Sequence, residues 1–218
     1  MRLTDIQKPR VLPLWIFPMD SPLKEISISE EKIANSLHPR RAKEYKHARS
    51  YVRFALSQFF KLNPLEIPLK ASIGKAPLLG NNLGHVSFSH CNDALLIGWS
   101  PTKLGVDIER SDRALSAEGI SERFFHKYDQ NNLKSLNNED FRKKVLEQWV
   151  IKEAAIKWQR GTLSKDLKNW HIKNKSNVAI HQTLNHEVKI QTTIYRSWII
   201  AIASNDNQGK GDLMICAN

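Results

Sequence analysis

The sequence has little cysteine, glycine or proline and no long apolar run. Its 218 residues include two cysteines, Cys91 and Cys216, which excludes a disulfide framework and a four-cysteine zinc site. No stretch approaches the ~18 consecutive apolar residues that span a membrane. No repeat or low-complexity segment is present. Prolines interrupt the first twenty residues, which are not typical of a signal peptide, so we expect a cytoplasmic protein.

The balance of charge is strongly basic. Thirty-three lysines and arginines face 22 acidic residues, which gives a formal net charge of +11. Such an excess favours an anionic partner, such as a nucleic acid, a phosphorylated cofactor, an acidic protein or an acidic lipid. It is equally compatible with a charge that serves only solubility, because net charge does not name a partner.

Hydrophobic spacing and capping signals predict an α+β protein with two lobes of similar size, each a helix with antiparallel strands. A Ser27-x-x-Glu30 capping box opens the first helix. Helices are predicted at 27–37, 39–62, 116–126 and 137–160. Strands are predicted at 11–17, 86–89, 94–99, 104–109, 177–181, 187–193, 197–204 and 213–216. We place the lobes at residues 1–103 and 104–218.

Two arginines lie near the apolar stripe of the second predicted helix. Arg49 falls on the stripe, and Arg53 follows one helical turn later. Both side chains are compatible with extending past the edge of the core into solvent. They are also compatible with a two-arginine anion site.

The segment Gly105-Val106-Asp107-Ile108-Glu109 places two carboxylates on one face of a predicted strand, ~6.6 Å apart along it. Carboxylate oxygens suit a hard divalent cation such as Mg²⁺. A short motif of this kind is also common on exposed strand faces.

A third carboxylate, Glu153, falls on the buried stripe of the fourth predicted helix. An unpaired charge there is unfavourable, so Glu153 needs a partner or a metal. Lys157 follows one turn later, in the favourable order for a solvated ion pair. The alternative to such a pair is a metal ligand or general base beside a phosphate-binding lysine.

Together, these two segments resemble the 4'-phosphopantetheinyl transferases, specifically the two-lobed, surfactin-synthetase-activating type. Residues 105–109 match the family's G-[VI]-D-[IV]-E motif in full, and residues 149–157 match W-x-x-K-E-[AS]-x-x-K. The resemblance covers roughly residues 41–163.

Weaker motifs agree with some departures. Residues 74–77 read G-K-A-P where the family has G-K-P, and residues 86–91 read V-S-F-S-H-C where F-N-[LI]-S-H-S is usual. Residues 123–125 read R-F-F, and the glutamate that follows in the family is Asp129 here.

The resemblance implies two pseudo-symmetric lobes with the active site in the cleft between them. It implies Mg²⁺ on Asp107, Glu109 and Glu153, and Glu153 and Lys157 as catalytic residues. It also implies contacts to coenzyme A from the side chains of Arg49, Arg53, Lys75, Ser89, His90 and Lys157.

The implied reaction moves the 4'-phosphopantetheine arm of coenzyme A to a serine of an acidic apo carrier protein and releases adenosine 3',5'-bisphosphate. The carrier belongs to fatty-acid, polyketide or nonribosomal peptide synthesis. We expect a monomer without nucleic-acid or membrane partners.

Two other classes fit part of the pattern. A Mg²⁺-dependent nuclease also gathers Asp, Glu and Lys, but its common form has a lysine at the position of Ser111. A basic nucleic-acid-binding protein needs aromatics interleaved with basic residues on one surface. Here Phe124, Phe125 and Trp149 are predicted to be buried instead.

Overall fold

A computed structural model describes residues 12–70, 75–173, 176–205 and 213–217, and the chain divides into two compact units. The first unit is Met1–Pro101 with Gln208–Asn218, and the second is Thr102–Asn207. Within the ranges described, no helix is long and apolar enough to cross a membrane.

The first unit packs two helices against a sheet. The strands are β1 (Leu12–Pro18), β2 (Leu69–Lys70), β3 (Leu78–Leu79), β4 (His85–His90), β5 (Ala94–Ser100) and β11 (Leu213–Ala217), and the helices are α1 (Ile28–Asn35) and α2 (Pro39–Phe60). The main sheet has the order β11-β1-β5-β4, while β2 and β3 form a separate pair, and a 3-10 helix spans Pro64–Glu66.

The second unit wraps a five-stranded sheet of order β6-β10-β9-β8-β7 against one long helix. Its strands are β6 (Leu104–Arg110), β7 (Trp170–Lys173), β8 (Val178–His181), β9 (His186–Tyr195) and β10 (Trp198–Ser204). Its helices are α3 (Ala117–Phe124), α4 (Lys127–Leu133), α5 (Asn138–Gln159) and α6 (Leu163–Asp166).

The predicted α+β class is confirmed, and so are the predicted helices and strands within a few residues. The capping box at Ser27 and Glu30 forms with both of its hydrogen bonds. Asn137 caps α5 through its side chain, which accepts a hydrogen bond from the Asp140 backbone N–H. The first predicted strand corresponds to β1, Leu12–Pro18. Its predicted first residue, Val11, lies outside the described residues.

The C-terminal strand differs from the predicted division into lobes. The boundary at residue 104 assigns residues 213–216 to the second lobe, but β11 pairs with β1 in the first unit. That pairing is parallel, whereas the other ladders of the two main sheets are antiparallel.

Gly105 sets how closely strand β6 approaches helix α5. A Cβ atom at this position would overlap the Ala154 carbonyl oxygen and would lie 2.5 Å from the Trp158 backbone nitrogen. Only glycine fits such a close backbone approach. The contact brings the strand that carries Asp107 alongside the helix that carries Glu153.

Candidate active site

Strand β6 and helix α5 bring together the three predicted metal-binding carboxylates and a lysine. Asp107 is almost fully buried, with 2% of its side chain exposed, and Glu109 and Glu153 are largely buried. Val106 and Ile108 point to the opposite face of β6 and are completely buried in the core. The alternation of β6 therefore anchors the strand on one side and presents acids on the other.

Two cations offset this acidic cluster, which we define as Asp107, Glu109 and Glu153. Lys157 Nζ lies 2.6 Å from Asp107 Oδ1 and 3.8 Å from Glu153 Oε2. The guanidinium of Arg113 donates to the Glu109 carboxylate. The sequence predicted the first of these cations but gave Arg113 no role.

Burial and mutual repulsion make Glu109 and Glu153 hard to ionise. Burial raises the pKa of Glu153 to about 8; the charges of Asp107 and Glu109 add to the rise, and Lys157 opposes it. Burial likewise raises the pKa of Glu109 to about 7, against the attraction of Arg113. Carboxyl groups held together away from water favour the arrival of a further positive charge.

The donor set of the acidic cluster suits a hard divalent cation. All three side chains offer carboxylate oxygens, which Mg²⁺ prefers, and Mg²⁺ keeps several of its waters in such sites. Across the described ranges, however, no three His, Cys, Asp or Glu side chains form a ready-made ligand group. In the structure, Lys157 supplies the positive charge beside Asp107 Oδ1.

A separate cavity of about 200 Å³ lies in the first unit between α2 and β4. Its polar wall centres on Arg49, which is only 6% exposed. The guanidinium lies between the rings of Tyr45 and Phe88, at 4.8 and 5.0 Å from their centroids. The full lining is Leu37, Arg41, Glu44, Tyr45, Ala48, Arg49, Phe88 and His90.

The guanidinium of Arg49 is incompletely satisfied. Its Nε and Nη1 atoms are buried and have no hydrogen-bond partner within the described part of the chain. Buried polar groups are normally hydrogen-bonded, and an unmet donor on a cation is especially unfavourable. The cavity is therefore suited to an anion that accepts from Arg49. Of the predicted nucleotide contacts, His90 also lines it, with Nε2 3.9 Å from Glu44 Oε2.

Arg53 does not line this cavity, and its contact to coenzyme A stays a prediction. Its Nε donates to Glu30 Oε2 at 2.7 Å, and its Nη1 donates to the carbonyls of Pro64 and Ile67. The pair is buried and ties α1 and the 3-10 helix to α2. Arg53 lies one turn beyond Arg49, so its side chain points to a different neighbour.

The remaining predicted contacts to coenzyme A are Lys75 and Ser89. Lys75 is exposed in the loop before β3, and Gly74 lies outside the described residues. Ser89 is buried on β4, on the face opposite to Phe88 and His90. Sequence reasoning missed the role of Tyr45 and Phe88, because their apolar spacing indicated only core packing.

Lys152, from the W-x-x-K-E segment, has a structural partner. Its ammonium is fully buried, lies 2.6 Å from Asp129 Oδ2 and also donates to the Trp170 carbonyl. The other oxygen of Asp129 accepts from the Ile172 backbone N–H. Asp129 therefore fastens α4 and β7 to the helix that carries Glu153 and Lys157.

Residues 103–203 match the sequence model of the 4'-phosphopantetheinyl transferase superfamily. The matched region includes the acidic cluster, Lys157 and the Lys152–Asp129 pair. It excludes Arg49, Lys75, Ser89 and His90, which all precede residue 103.

Two curated transferases are similar over a longer stretch. The 4'-phosphopantetheinyl transferase HetI of Nostoc sp. is 23% identical over 157 residues, which cover 66% of this chain and 66% of HetI. The 4'-phosphopantetheinyl transferase ffp of Bacillus subtilis is 28% identical over 123 residues, 56% of this chain and 54% of ffp. The chain thus aligns with less than two thirds of either transferase.

Proposed function

We propose that this protein transfers the 4'-phosphopantetheine arm of coenzyme A to a serine hydroxyl of an apo carrier protein. The observation that carries the proposal is the convergence of Asp107, Glu109, Glu153 and Lys157 inside the region that matches the family. The match to transferases favours this reaction over the nuclease and the nucleic-acid-binding alternatives.

In the proposed reaction the carrier serine oxygen attacks the β-phosphorus of coenzyme A. A new phosphorus–oxygen bond forms to the serine, and the bond from the β-phosphorus to the bridging oxygen breaks. Adenosine 3',5'-bisphosphate leaves with that electron pair. Such a displacement depends mainly on positioning and on charge neutralisation.

The acidic cluster holds Mg²⁺ in this proposal, with Asp107, Glu109 and Glu153 as ligands. When bound, Mg²⁺ withdraws charge from the pyrophosphate oxygens as a Lewis acid. Lys157, which pairs with Asp107 in the structure, would pair with the leaving phosphate. Lysine binds phosphate well as a point charge.

Glu153 is the proposed general base for the serine proton. A positioned carboxylate can serve as a general base, and Glu153 is a largely buried carboxylate of the acidic cluster. The carboxylate takes the proton from the serine hydroxyl directly or through one water.

The cavity at Arg49 is the proposed site for the 3'-phosphate end of coenzyme A. The unmet donors of Arg49 and the adjacent His90 imidazole support this assignment. Lys75 and Ser89 remain predicted contacts to the same nucleotide. The net charge of +11 favours both a polyanionic cofactor and an acidic carrier.

The proposal also includes the finer expectations from the family resemblance. These are a pseudo-symmetric pair of lobes with coenzyme A in the cleft between them, a monomeric protein and a cytoplasmic location. The carrier is drawn from fatty-acid, polyketide or nonribosomal peptide synthesis.

The deciding experiment incubates the protein with Mg²⁺, coenzyme A and a panel of apo carriers. Intact mass spectrometry should show the phosphopantetheine mass on one or more carriers. A carrier with its serine changed to alanine, and a reaction containing EDTA, should show no addition. If no carrier in the panel gains this mass, the proposed function is wrong.

A further inference from the structure

Arg113 lies in the turn after β6 and contacts the acidic cluster from outside the family motifs. Its guanidinium donates to Glu109, four residues earlier, and its side chain is 39% exposed. Glu109 is the less exposed partner at 17%. The bond therefore holds a largely buried carboxylate with a cation that comes from the surface.

The turn that carries Arg113 is fixed from two sides. Arg142 of α5 donates to the carbonyls of Arg113 and Ser111 at 3.3 and 3.2 Å. Ser111 in turn donates from its backbone N–H and its hydroxyl to the Ser197 carbonyl, at 2.8 and 3.1 Å. Both the helix and the β9–β10 turn thus hold the backbone of residues 111–113.

The neighbouring Arg110 provides a comparison with the Arg113–Glu109 bond. Arg110 precedes Arg113 by three residues. It donates two hydrogen bonds to the exposed Asp112 carboxylate, at 2.7 and 2.6 Å. Arg113, by contrast, donates to Glu109 of the acidic cluster.

We propose that Arg113 is a positioning residue that holds Glu109 in the cation-free protein and must release it before Glu109 joins a divalent cation. This inference rests on the proposed function only for the identity of the cation. Glu109 Oε1 accepts from Arg113, and a hard cation would draw on the same carboxylate. Arg113 therefore competes with the cation for Glu109.

A competing internal bond weakens the observed affinity for a ligand. Only the fraction of molecules in which Glu109 is released is able to bind with all three ligands. Partly exposed ion pairs are worth up to ~1 kcal/mol, which corresponds to about fivefold in an equilibrium constant. Breaking the Arg113 bond by mutation should tighten cation binding by about that factor.

The test measures binding of Mn²⁺ alone to the full chain by electron paramagnetic resonance, without coenzyme A or carrier. Mn²⁺ also prefers oxygen ligands and reports its own free concentration. We expect Arg113→Ala to bind Mn²⁺ three- to fivefold more tightly than the wild type. Arg113→Lys should fall between them, because lysine keeps the charge but not the planar fork of donors.

Arg110→Ala is the matched control, because it removes the same charge from the end of β6, three residues before Arg113. If both alanine variants bind Mn²⁺ more tightly by the same factor, only the overall electrostatic potential at the site has changed and the proposal is overturned. Unchanged binding in Arg113→Ala, or no Mn²⁺ bound by either protein, also overturns it. Asp107→Asn should abolish the measured site and so locate it at the acidic cluster.

The outcome is separable from that of the proposed function. Tighter Mn²⁺ binding by Arg113→Ala without transfer to any carrier supports the competition and refutes the transferase. Transfer to a carrier without any change in Mn²⁺ binding supports the transferase and refutes the competition.

Discussion

Two arginines on one helix show how neighbouring side chains acquire different roles. Arg49 and Arg53 are both buried on α2, and their positions differ by one turn. Arg53 has a carboxylate and two carbonyls as partners, whereas two donor atoms of Arg49 have none in the described part of the chain. Arg53 therefore stabilises the fold, and Arg49 is available for a ligand.

Arg49→Ala should weaken coenzyme A binding by about tenfold or more, because a hydrogen bond to a charged group is worth ~1.5–3 kcal/mol. Calorimetry on coenzyme A and on its 3'-dephospho form measures the effect. The wild type should prefer coenzyme A, and the variant should lose most of that preference. Equal losses for both ligands would show that Arg49 does not meet the 3'-phosphate.

Glu153→Gln should separate cation binding from proton transfer. The amide keeps the size and one acceptor oxygen but removes the charge and the basicity. We expect coenzyme A still to bind, at a higher Mg²⁺ concentration, while single-turnover transfer falls by ~10²-fold or more.

A Mg²⁺ series distinguishes the two roles of Glu153. Extra Mg²⁺ should restore binding but not the rate. Full recovery of the rate at saturating Mg²⁺ would mean that Glu153 is a ligand only. No change in either quantity would mean that Glu153 and Lys157 are an ordinary helix-surface pair.

At the scale of elements, helix α5 carries both residues of the candidate site and a residue of the core. One side of the helix carries Glu153 and Lys157, while the adjacent Lys152 points into the core. Lys152 is fully buried beside Asp129, and its ammonium lies 4.9 Å from the centroid of the Phe125 ring. The position of the face that carries Glu153 and Lys157 therefore depends on the buried Lys152–Asp129 ion pair.

Asp129→Ala should destabilise the protein by ~3–5 kcal/mol, because it leaves the Lys152 charge buried without its partner. The double variant Asp129→Leu with Lys152→Met should be less destabilised than Asp129→Ala, since no charge then remains buried. Urea unfolding monitored by circular dichroism gives both values. A double variant that is less stable than the single one would show that the pair is itself a net source of stability.

Much of the element structure could be predicted from local signals. Caps and periodicity indicated α1, α2 and α5, and alternation indicated β4 and β6. Strand β7 was missed because its four residues alternate over too short a stretch to identify a strand, and its position depends on pairing with β8 and on the distant Asp129. Short elements of this kind are fixed by tertiary contacts more than by propensity.

The candidate site was predictable in its residue types but not in its bonding. The family resemblance implied the acidic cluster and Lys157, which charge and spacing alone had left open. The bond from Lys157 to Asp107 crosses from helix to strand, and the bond from Arg113 to Glu109 depends on a turn. The Lys157–Asp107 bond needs the close approach of β6 and α5 that Gly105 permits. The Arg113–Glu109 bond needs the conformation of the turn after β6.

At the scale of the whole molecule, the chain returns to its first unit after completing the second. Strand β11 pairs with β1 in parallel, from Leu12 opposite Leu213 to Ile16 opposite Ala217. In the described sheet, β1 would be an edge strand without this partner. An uncovered edge offers free backbone donors and acceptors to other chains.

Truncation after residue 212 should therefore expose β1 and lower the thermal midpoint of the first unit by at least about 5 °C. Hydrogen exchange should become faster at the amides of residues 12–16, while the sheet of the second unit keeps its protection. Removal of Asn218 alone is the matched control. Equal exchange in both truncated forms would show that β11 contributes nothing to the sheet.

The same pairing has a consequence for synthesis on the ribosome. The nascent chain presents the strands of the second unit before β11 has emerged, so that unit is able to close while the first sheet still has an open edge. The first unit begins folding first and finishes last. During translation, β1 is therefore the strand most in need of protection by a chaperone.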